Sequence, residues 1–247
     1  MLGASRRHRR MYCFDVKCSV VIPAYNEARR LPLTLSGWNA YLCAQPFASE
    51  VIVVDDGSRD TTASVAADCG ARVISLRPNR GKGGAVRAGV LAAEGDVIAY
   101  ADADMNVAPN YLGDALALLE TGAAVVVGQR NLSEYAAAEG PLRLVAGGLV
   151  QLTRRVLVMS SIRDTQCGFK VFRRDLARDV FRRTRINSFA FDIELLFVAK
   201  RLGARIAEMP VRTTYREEST FDVRKHLPRF LRDIVQIRLN DLAGCYR

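Results

Sequence analysis

The chain has 247 residues, of which 49% are hydrophobic, and its formal net charge is +10 at pH 7. This length suffices for one α/β domain with a substantial core, and the positive charge favours anionic partners: nucleic acid, a lipid surface or a phosphorylated substrate. The two histidines, His8 and His226, lie near the ends, which argues against a histidine-centred triad or a histidine-rich metal site. The six cysteines show no CxxC pairing and are expected to be reduced, mostly buried thiols.

Residues 17–128 show short apolar runs that alternate with alanine-rich helical patterns. The predicted strands are 18–22, 51–54, 72–76, 97–100 and 123–127, and the predicted helices are about 27–44, 59–69, 83–94 and 109–120. Such alternation indicates an α/β fold with a mostly parallel sheet that is covered by helices on both faces.

The ends of the chain have a different composition. Residues 1–16 carry four arginines and lack the apolar run of a secretory signal, so they are predicted to be a basic disordered arm. The longest uncharged stretch, 31–49, contains two prolines and suits a globular helix and loop better than a membrane span. The predicted organisation is an arm at 1–16, a domain at 17–215 and a C-terminal amphipathic region at 216–247.

The second half of the chain is more irregular and more basic. Residues 154–185 contain ten Lys or Arg against three Asp, which fits either a solvated surface or a face that meets lipid phosphates. A last helix is predicted at about 224–243, with Arg229 and Arg232 opposite a broad apolar side formed by Leu227, Phe230, Leu231, Ile234, Val235, Leu239 and Leu242. This side could pack on its own domain or lie on a membrane surface, and both alternatives stay open.

Acidic residues follow two of the predicted strands. Asp102 and Asp104 come directly after the fourth run, and Asp55-Asp56 come after the second. Ligands of parallel sheets bind beyond the carboxyl ends of the strands, and carboxylates spaced i and i+2 suit a hard divalent cation with its phosphate ligands. Asp55 and Asp56 could cap a helix, but two acids exceed what capping requires. The sequence therefore predicts a nucleotide-type site at this edge.

A glycine-rich stretch, Asn79–Ala85, leads into a helix. Its backbone amides could approach phosphate oxygens, with Lys82 or Arg80 adding positive charge. The GxxxxGK[ST] pattern of Walker-type loops is absent.

The motifs PAYNE, VDDGS, NRGKGGAVRAG, DAD and GQR, in this order, resemble those of the family 2 inverting glycosyltransferases of the GT-A type. The later stretches DTQCGFK (164–170) and FDIELL (191–196) resemble motifs of the polyprenyl-phosphate sugar transferases, most of all the dolichyl-phosphate β-glucosyltransferases, with the mannosyltransferases close behind. The resemblance covers about residues 17–215 and implies a Rossmann-like GT-A fold.

On the donor side, the resemblance implies a nucleotide site and a metal site. Asp104 would be the main ligand of Mg²⁺ or Mn²⁺, Asp102 would contact both ribose and metal, and Asn106 would be a further metal ligand. The remaining nucleotide-sugar residues would be Pro23, Ala24, Tyr25, Glu27, Asp55, Asp56, which supports the turn, and Lys82.

On the acceptor side, the resemblance implies that Arg130 and Arg143 hold a lipid phosphate. Gln166, Lys170, Asp192 and Glu194 would line the sugar and acceptor side. Catalysis would then rest on Asp102, Asp104, Arg130, Arg143 and Asp192.

The implied activity is transfer of a hexose, with glucose from UDP-glucose preferred, to polyprenyl or dolichyl phosphate at the cytoplasmic membrane face by a peripheral protein. The alternative donor is GDP-mannose, because the residues around Asn106 differ from the sequence that is more common in the glucosyltransferases. A soluble acceptor, such as a saccharide or glycerate, would need a general base, for which Asp192 could serve. Nucleic-acid binding is not expected, since the basic residues show little aromatic interleaving.

Overall fold

The computed structural model describes residues 17–131, 162–213 and 223–247, together with Thr153 and Val158. The strands within these residues are Cys18–Ala24 (β1), Ser49–Asp55 (β2), Arg72–Ser75 (β3), Val97–Ala101 (β4), Val125–Arg130 (β5), Phe169–Arg173 (β6) and Ile206–Val211 (β7). The helices are Leu31–Cys43 (α1), Thr62–Asp68 (α2), Lys82–Ala92 (α3), Tyr111–Glu120 (α4), Arg174–Arg183 (α5), Phe191–Arg201 (α6) and Val223–Leu242 (α7).

The strands form one sheet in the order β3-β2-β1-β4-β6-β5-β7. The first four strands of the chain pair in parallel, β5 pairs in parallel with β7, and β6 runs antiparallel to both β4 and β5. The predicted mostly parallel sheet is therefore confirmed. The fifth predicted strand continues three residues further than expected, to Arg130, and neither β6 nor β7 was predicted.

Helices cover the sheet on both faces, and each face has its own apolar core. Alternate residues of β1 show the division: Val21 packs with the side of α3, α5, α6 and α7, whereas Val20 and Ile22 pack with α1, α2 and α4. Side chains of a strand alternate between faces, so a strand buried on both sides must be apolar throughout. This explains the uninterrupted apolar runs of the first, second and fourth strands.

The C-terminal helix α7 packs on the rest of the domain. Phe230, Ile234 and Ile237 are buried in the same core as α6, and Arg201 of α6 lies 3.0 Å from the carboxylate of Asp241. The helix was expected either to pack on its own domain or to lie on a membrane surface, and its inner face packs on the domain. No helix among the described residues is both long and apolar enough to cross a membrane.

The cysteines that the structure describes are free thiols. Cys18 and Cys167 are buried, whereas Cys43 is exposed at the end of α1, so the expected filler role holds for only part of the set. Cys13 lies outside the described residues.

The antiparallel strand β6 shapes the edge at which the acidic motifs meet. Its first residue, Phe169, pairs with Ala101, the last residue of β4. The segment that enters β6 therefore lies beside the segment that leaves β4, and the backbone N–H of Asp102 donates to the carbonyl of Gly168 at 3.1 Å. The motifs DAD and DTQCGFK, far apart in the chain, thus share one site.

Candidate active site

A small cavity of about 40 Å³ lies beyond the ends of β4 and β5. Its walls include predicted residues from both the donor and the acceptor side: Asp102, Asn106, Arg130 and Gln166. A larger cavity of about 370 Å³ opens at the opposite edge of the sheet, beside Cys18 and Val97, and none of the predicted site residues lines it. Because ligands of such sheets bind at the carboxyl ends of the strands, the small cavity is the candidate chemical site.

The acidic motif forms a tight turn after β4. The Thr34 hydroxyl donates to the buried carbonyl of Ala103 at 2.6 Å, and Met105 has a φ of +52°. A positive φ is uncommon for a residue with a side chain and marks a backbone held by its surroundings. The turn brings the backbone N–H of Asn106 to 3.1 Å from Asp104 Oδ1, and the Asn106 side-chain amide also donates to that carboxylate.

Negative charge is concentrated at this turn. Burial raises the pKa of Asp104, and the nearby Asp102 carboxylate raises it further. Lys82, at the start of α3, offsets part of this charge, with Nζ 2.6 Å from Asp102 Oδ1. Burial opposes the charged form of Lys82, but the carboxylates of Asp102 and Asp192 outweigh it and the pKa of Lys82 is raised.

The turn offers oxygen atoms that suit a divalent cation. Asn106 Oδ1 is buried and has no hydrogen-bond partner, beside the carboxylates of Asp102 and Asp104. Oxygen ligands of this kind fit Mg²⁺ or Mn²⁺. Within the part of the chain that the structure describes, no three His, Cys, Asp or Glu side chains converge on a metal position.

Gly168 allows the acidic motif and β6 to approach each other. A Cβ atom at this position would lie 2.0 Å from Asp102 Oδ2, far inside van der Waals contact. Sequence reasoning did not single out Gly168, although it stands inside the DTQCGFK motif. With Asp102 in its observed position, only a residue without a side chain fits at 168.

The amides of the glycine-rich stretch are committed to protein contacts. The Asp56 carboxylate accepts hydrogen bonds from the N–H groups of Arg80 at 2.7 Å and Gly81 at 2.8 Å, while Gly83 donates to the carbonyl of Asn187 at 2.9 Å. Asp56 thus holds this turn. The expectation that these three amides meet phosphate oxygens is not supported, because their hydrogen bonds are already made; the Lys82 ammonium remains the cationic group of this stretch at the acidic turn.

The predicted nucleotide residues gather where β1 and β2 end. Ala24 pairs with Asp55 across these strands, and the Asp55 carboxylate, nearly buried, accepts from the Ser58 N–H at 3.0 Å. Tyr25 is 43% exposed, so its ring is accessible to a planar ligand. Pro23 lies one residue earlier in β1.

Glu27 has a protein partner. Its carboxylate binds the Arg30 guanidinium through Nε at 2.6 Å and Nη2 at 2.5 Å. Such a two-pronged pair is a strong, charge-assisted contact. This geometry argues against direct contact between Glu27 and a nucleotide and favours a role in shaping the loop before α1.

Arg130 is fixed by a buried acid. Its Nε and Nη2 lie 2.7 and 3.0 Å from the two carboxylate oxygens of Asp164, which is 2% exposed. Burial alone would raise the pKa of Asp164, but the hydrogen bonds and charge of Arg130 lower it below its usual value. The guanidinium is therefore held in one plane at the cavity wall. Arg143, its expected companion, lies outside the described residues.

Gln166 also lines the cavity. Its backbone N–H donates to Asp164 Oδ1 at 3.1 Å, and its side-chain Nε2 is buried without a hydrogen-bond partner. A buried donor without a partner is costly in a folded protein, so it is a candidate contact for an anionic or hydroxylated ligand.

Lys170 and Asp192 lie in the interior, away from the cavity wall. Lys170 is completely buried, and its Nζ lies 2.6 Å from Asp192 Oδ1, 2.8 Å from the Tyr100 hydroxyl and 2.7 Å from the Cys167 carbonyl. The Tyr100 hydroxyl also donates to Asp192. All three protons of the ammonium are therefore used, which argues against direct contact of Lys170 with the acceptor and against Asp192 as a base that an acceptor alcohol can reach.

Glu194 is also buried and fully bonded. Its carboxylate accepts from the N–H groups of Arg185 at 2.9 Å and Ile186 at 2.8 Å, and from the Tyr246 hydroxyl at 2.6 Å. Burial raises its pKa, although these hydrogen bonds pull in the other direction. Glu194 thus ties the loop before α6 to the C-terminal residues, which is inconsistent with the expected acceptor contact.

Comparison with known proteins supports the family resemblance that the motifs indicated. The family model for glycosyl transferase family 2 matches residues 19–181. Dolichyl-phosphate beta-glucosyltransferases from Dictyostelium discoideum and Drosophila melanogaster are 33% and 36% identical, each aligned over 94% of this chain and over 77% and 78% of their own length. The protein of the same description from Homo sapiens is 36% identical over 93% of this chain and 77% of its own.

Solved structures show the same fold at lower identity. Glucosyl-3-phosphoglycerate synthase from Mycobacterium tuberculosis superposes with a TM-score of 0.70 at 24% identity, covering 91% of this chain and 79% of its own. Mannosyl-3-phosphoglycerate synthase from Rubrobacter xylanophilus has a TM-score of 0.70 at 23% identity, covering 93% and 74%. From the matched family model, the identities to these relatives and the shared fold, the chain belongs to glycosyl transferase family 2 and is a glycosyltransferase.

Proposed function

We propose that this enzyme transfers glucose from UDP-glucose to dolichyl phosphate or another polyprenyl phosphate, with inversion at the anomeric carbon. The observation that carries the proposal is the shared cavity, in which Asp102 and its acidic turn face the same space as Arg130. Relatives described as dolichyl-phosphate beta-glucosyltransferases support both the sugar and the acceptor.

This reaction does not require a general base from the protein. A phosphate monoester has a second pKa of about 6, by analogy with phosphorylated side chains, so it is largely ionised near neutral pH. One of its oxygens can form the new bond to the anomeric carbon while the bond from that carbon to the diphosphate breaks. UDP leaves with the bonding electrons. The burial of Asp192 fits such a reaction, because no proton has to be removed from the acceptor.

Two anionic groups must nevertheless be brought together. We assign Arg130, held by Asp164, to the attacking phosphate and Lys82, with the acidic turn, to the donor diphosphate. Fixed charges that face developing charge lower the barrier because they need no rearrangement during the reaction. Gln166 Nε2 supplies a further donor at the acceptor side.

A divalent cation, Mg²⁺ or Mn²⁺, would be held by Asp104, Asp102 and Asn106 Oδ1. When bound, it supplies positive charge that stabilises the departing diphosphate. Solved structures of the glucosyl-3-phosphoglycerate synthase hold Mn²⁺ with UDP and Mg²⁺ with UDP, which is consistent with this assignment. The repulsion that raises the pKa of Asp104 is the kind that a cation relieves.

UDP-glucose is preferred over GDP-mannose as the donor. The relatives at 33% and 36% identity are described by glucose transfer, and one solved neighbour is a complex with UDP-glucose and Mn²⁺. GDP-mannose remains the competing donor.

The test uses the full chain with radiolabelled UDP-glucose or GDP-mannose, each offered dolichyl phosphate or 3-phosphoglycerate. We expect label in the lipid extract with UDP-glucose, loss of transfer with a chelator, and recovery with Mn²⁺ or Mg²⁺. NMR of the product should show a β-linked glucose. Label only in a soluble product, or transfer only from GDP-mannose, would overturn the acceptor or the donor assignment respectively.

A further inference from the structure

The apolar residues of helix α7 lie on two opposite faces, so the single broad apolar side expected from the sequence is wrong. Its inner face packs through Phe230, Ile234 and Ile237. Three further apolar side chains are exposed to solvent: Val235 at 43%, Leu239 at 52% and Leu242 at 68%. Their spacing of four and three residues places them on one outward face of the helix. We call these three residues the outer stripe.

Arginines surround the outer stripe. The side chains of Arg232 and Arg238 are 73% and 45% exposed, and helical spacing places them on either side of the stripe. The acidic residues of the helix, Asp233 and Asp241, are both buried at its inner side. The outward face therefore combines apolar side chains with cationic ones and presents no carboxylate from the helix.

The ion pairs do not neutralise this face. Asp233 lies near two arginines, with Arg229 at 3.9 Å and Arg232 at 3.5 Å. Asp241 is likewise approached by Arg201 at 3.0 Å and Arg238 at 2.7 Å. Because each carboxylate is shared by two guanidinium groups, each cluster keeps a net positive charge.

A helix that only packs on its own domain usually has a polar outer face, whereas that of α7 carries three exposed apolar side chains between its arginines. Pairing with a second copy of the chain would bring like charges together, which disfavours it. An anionic bilayer suits both features, since apolar side chains enter the headgroup region while arginines reach lipid phosphates.

We propose that the outer stripe of α7, with Arg232 and Arg238, rests on an anionic lipid bilayer. The purpose of this contact rests on the proposed function, because a lipid-borne acceptor must meet the cavity at a membrane surface. The helix is also close to the site in the chain: only residues 214–222 separate Val223 from Thr213, which lines the cavity. The proposal adds a membrane-facing surface, outside the sequence motifs, to the enzyme.

The test is co-flotation of the full chain with phosphatidylcholine vesicles, with and without phosphatidylglycerol. We expect binding only to the anionic vesicles, weakening as salt is added because screening reduces the attraction. Leu239→Glu should lower vesicle affinity at least about tenfold, since it removes a large apolar contact and adds a repelled charge. Leu91→Glu is the matched control, because Leu91 is also an exposed leucine, at 38%, on the helix α3.

Equal vesicle binding by Leu239→Glu and the wild type would overturn the proposal. A dimer in solution that Leu239→Glu dissociates, without vesicle binding, would overturn it in favour of self-association. Transfer to a short, water-soluble polyprenyl phosphate without vesicles separates this surface from the proposed function: Leu239→Glu should match the wild type there. Wild-type vesicle binding without any transfer would contradict the proposed function and leave the surface standing.

Discussion

Two pairs of acidic residues in this enzyme resemble each other in sequence and differ in their surroundings. Asp102 and Asp104 follow β4 and remain partly accessible beside a cavity, whereas Asp192 and Glu194, at the start of α6, are buried and bonded to other protein groups. Both pairs stand in motifs that resemble those of sugar transferases. The comparison shows that a carboxylate in a motif can serve chemistry or architecture, and that its hydrogen-bond partners distinguish the two.

The largest effect is expected for the architectural pair. Lys170→Met should lower the free energy of unfolding by about 3–5 kcal/mol, because it leaves the buried Asp192 carboxylate without its cation. Thermal or urea unfolding would measure this loss. The double variant Lys170→Met with Asp192→Asn removes both charges and should recover most of it. If the double variant is stable but inactive, Asp192 acts on the reaction and the comparison fails.

Asp104→Ala should impair turnover without lowering stability. We expect turnover to fall by about 100- to 1000-fold, as for removal of a group that stabilises transition-state charge. Stability should be unchanged or slightly higher, because the variant relieves the repulsion with Asp102 that raises the pKa of Asp104. Initial rates across a range of Mn²⁺ concentrations test the first expectation. The exposed Asp114→Ala is the matched control, and wild-type turnover in Asp104→Ala would contradict the site.

Arg130 serves both chemistry and architecture, since it lines the cavity and neutralises a buried acid. Arg130→Ala should weaken use of the lipid phosphate by about 1.5–3 kcal/mol, the usual range for a charged hydrogen bond. It would also strand Asp164, so the informative variant combines it with Asp164→Asn. This double variant should regain stability but keep a raised KM for the acceptor with an unaltered KM for the donor. Normal acceptor kinetics would remove Arg130 from the site.

The smallest effect is expected where the C-terminus meets Glu194. Tyr246→Phe removes one hydrogen bond and should cost about 1 kcal/mol of stability. The Tyr246 hydroxyl helps to lower the pKa of Glu194, so the variant raises that pKa further. The loss should be largest at pH values where Glu194 is ionised and should shrink as the pH falls through its raised pKa. A pH-independent loss in unfolding experiments would show that Glu194 does not carry the effect.

Much of the fold follows from the sequence because local patterns are strong in the first half. The first, second and fourth strands contain continuous apolar runs, and α7 was placed within one residue of each observed end. The strands β6 and β7 escaped prediction for physical reasons. The sequence of β6 contains a lysine, which is rarely buried unless paired, and β7 contains Pro210 and Glu208, which are uncommon in strands.

The candidate site could be predicted in part for a related reason. Strand exits in a parallel sheet converge, so Asp55 and Asp102 could be placed at one edge from the sequence, whereas Arg130 was implied only by the family resemblance. Which side chains are already occupied depends on partners far along the chain, such as Asp192 for Lys170 or Tyr246 for Glu194. No local pattern carries that information.

The position of β6 has a consequence for biosynthesis. One side of β4 is covered by β1 early, but its other side is covered by β6, whose residues 169–173 are made much later. Until then the apolar strand Val97–Ala101 presents an open hydrogen-bonding edge, which invites pairing with other chains. Nascent or truncated chains that end before residue 173 are therefore expected to aggregate and to need chaperones, and slow closure of this distant pairing should limit the folding rate.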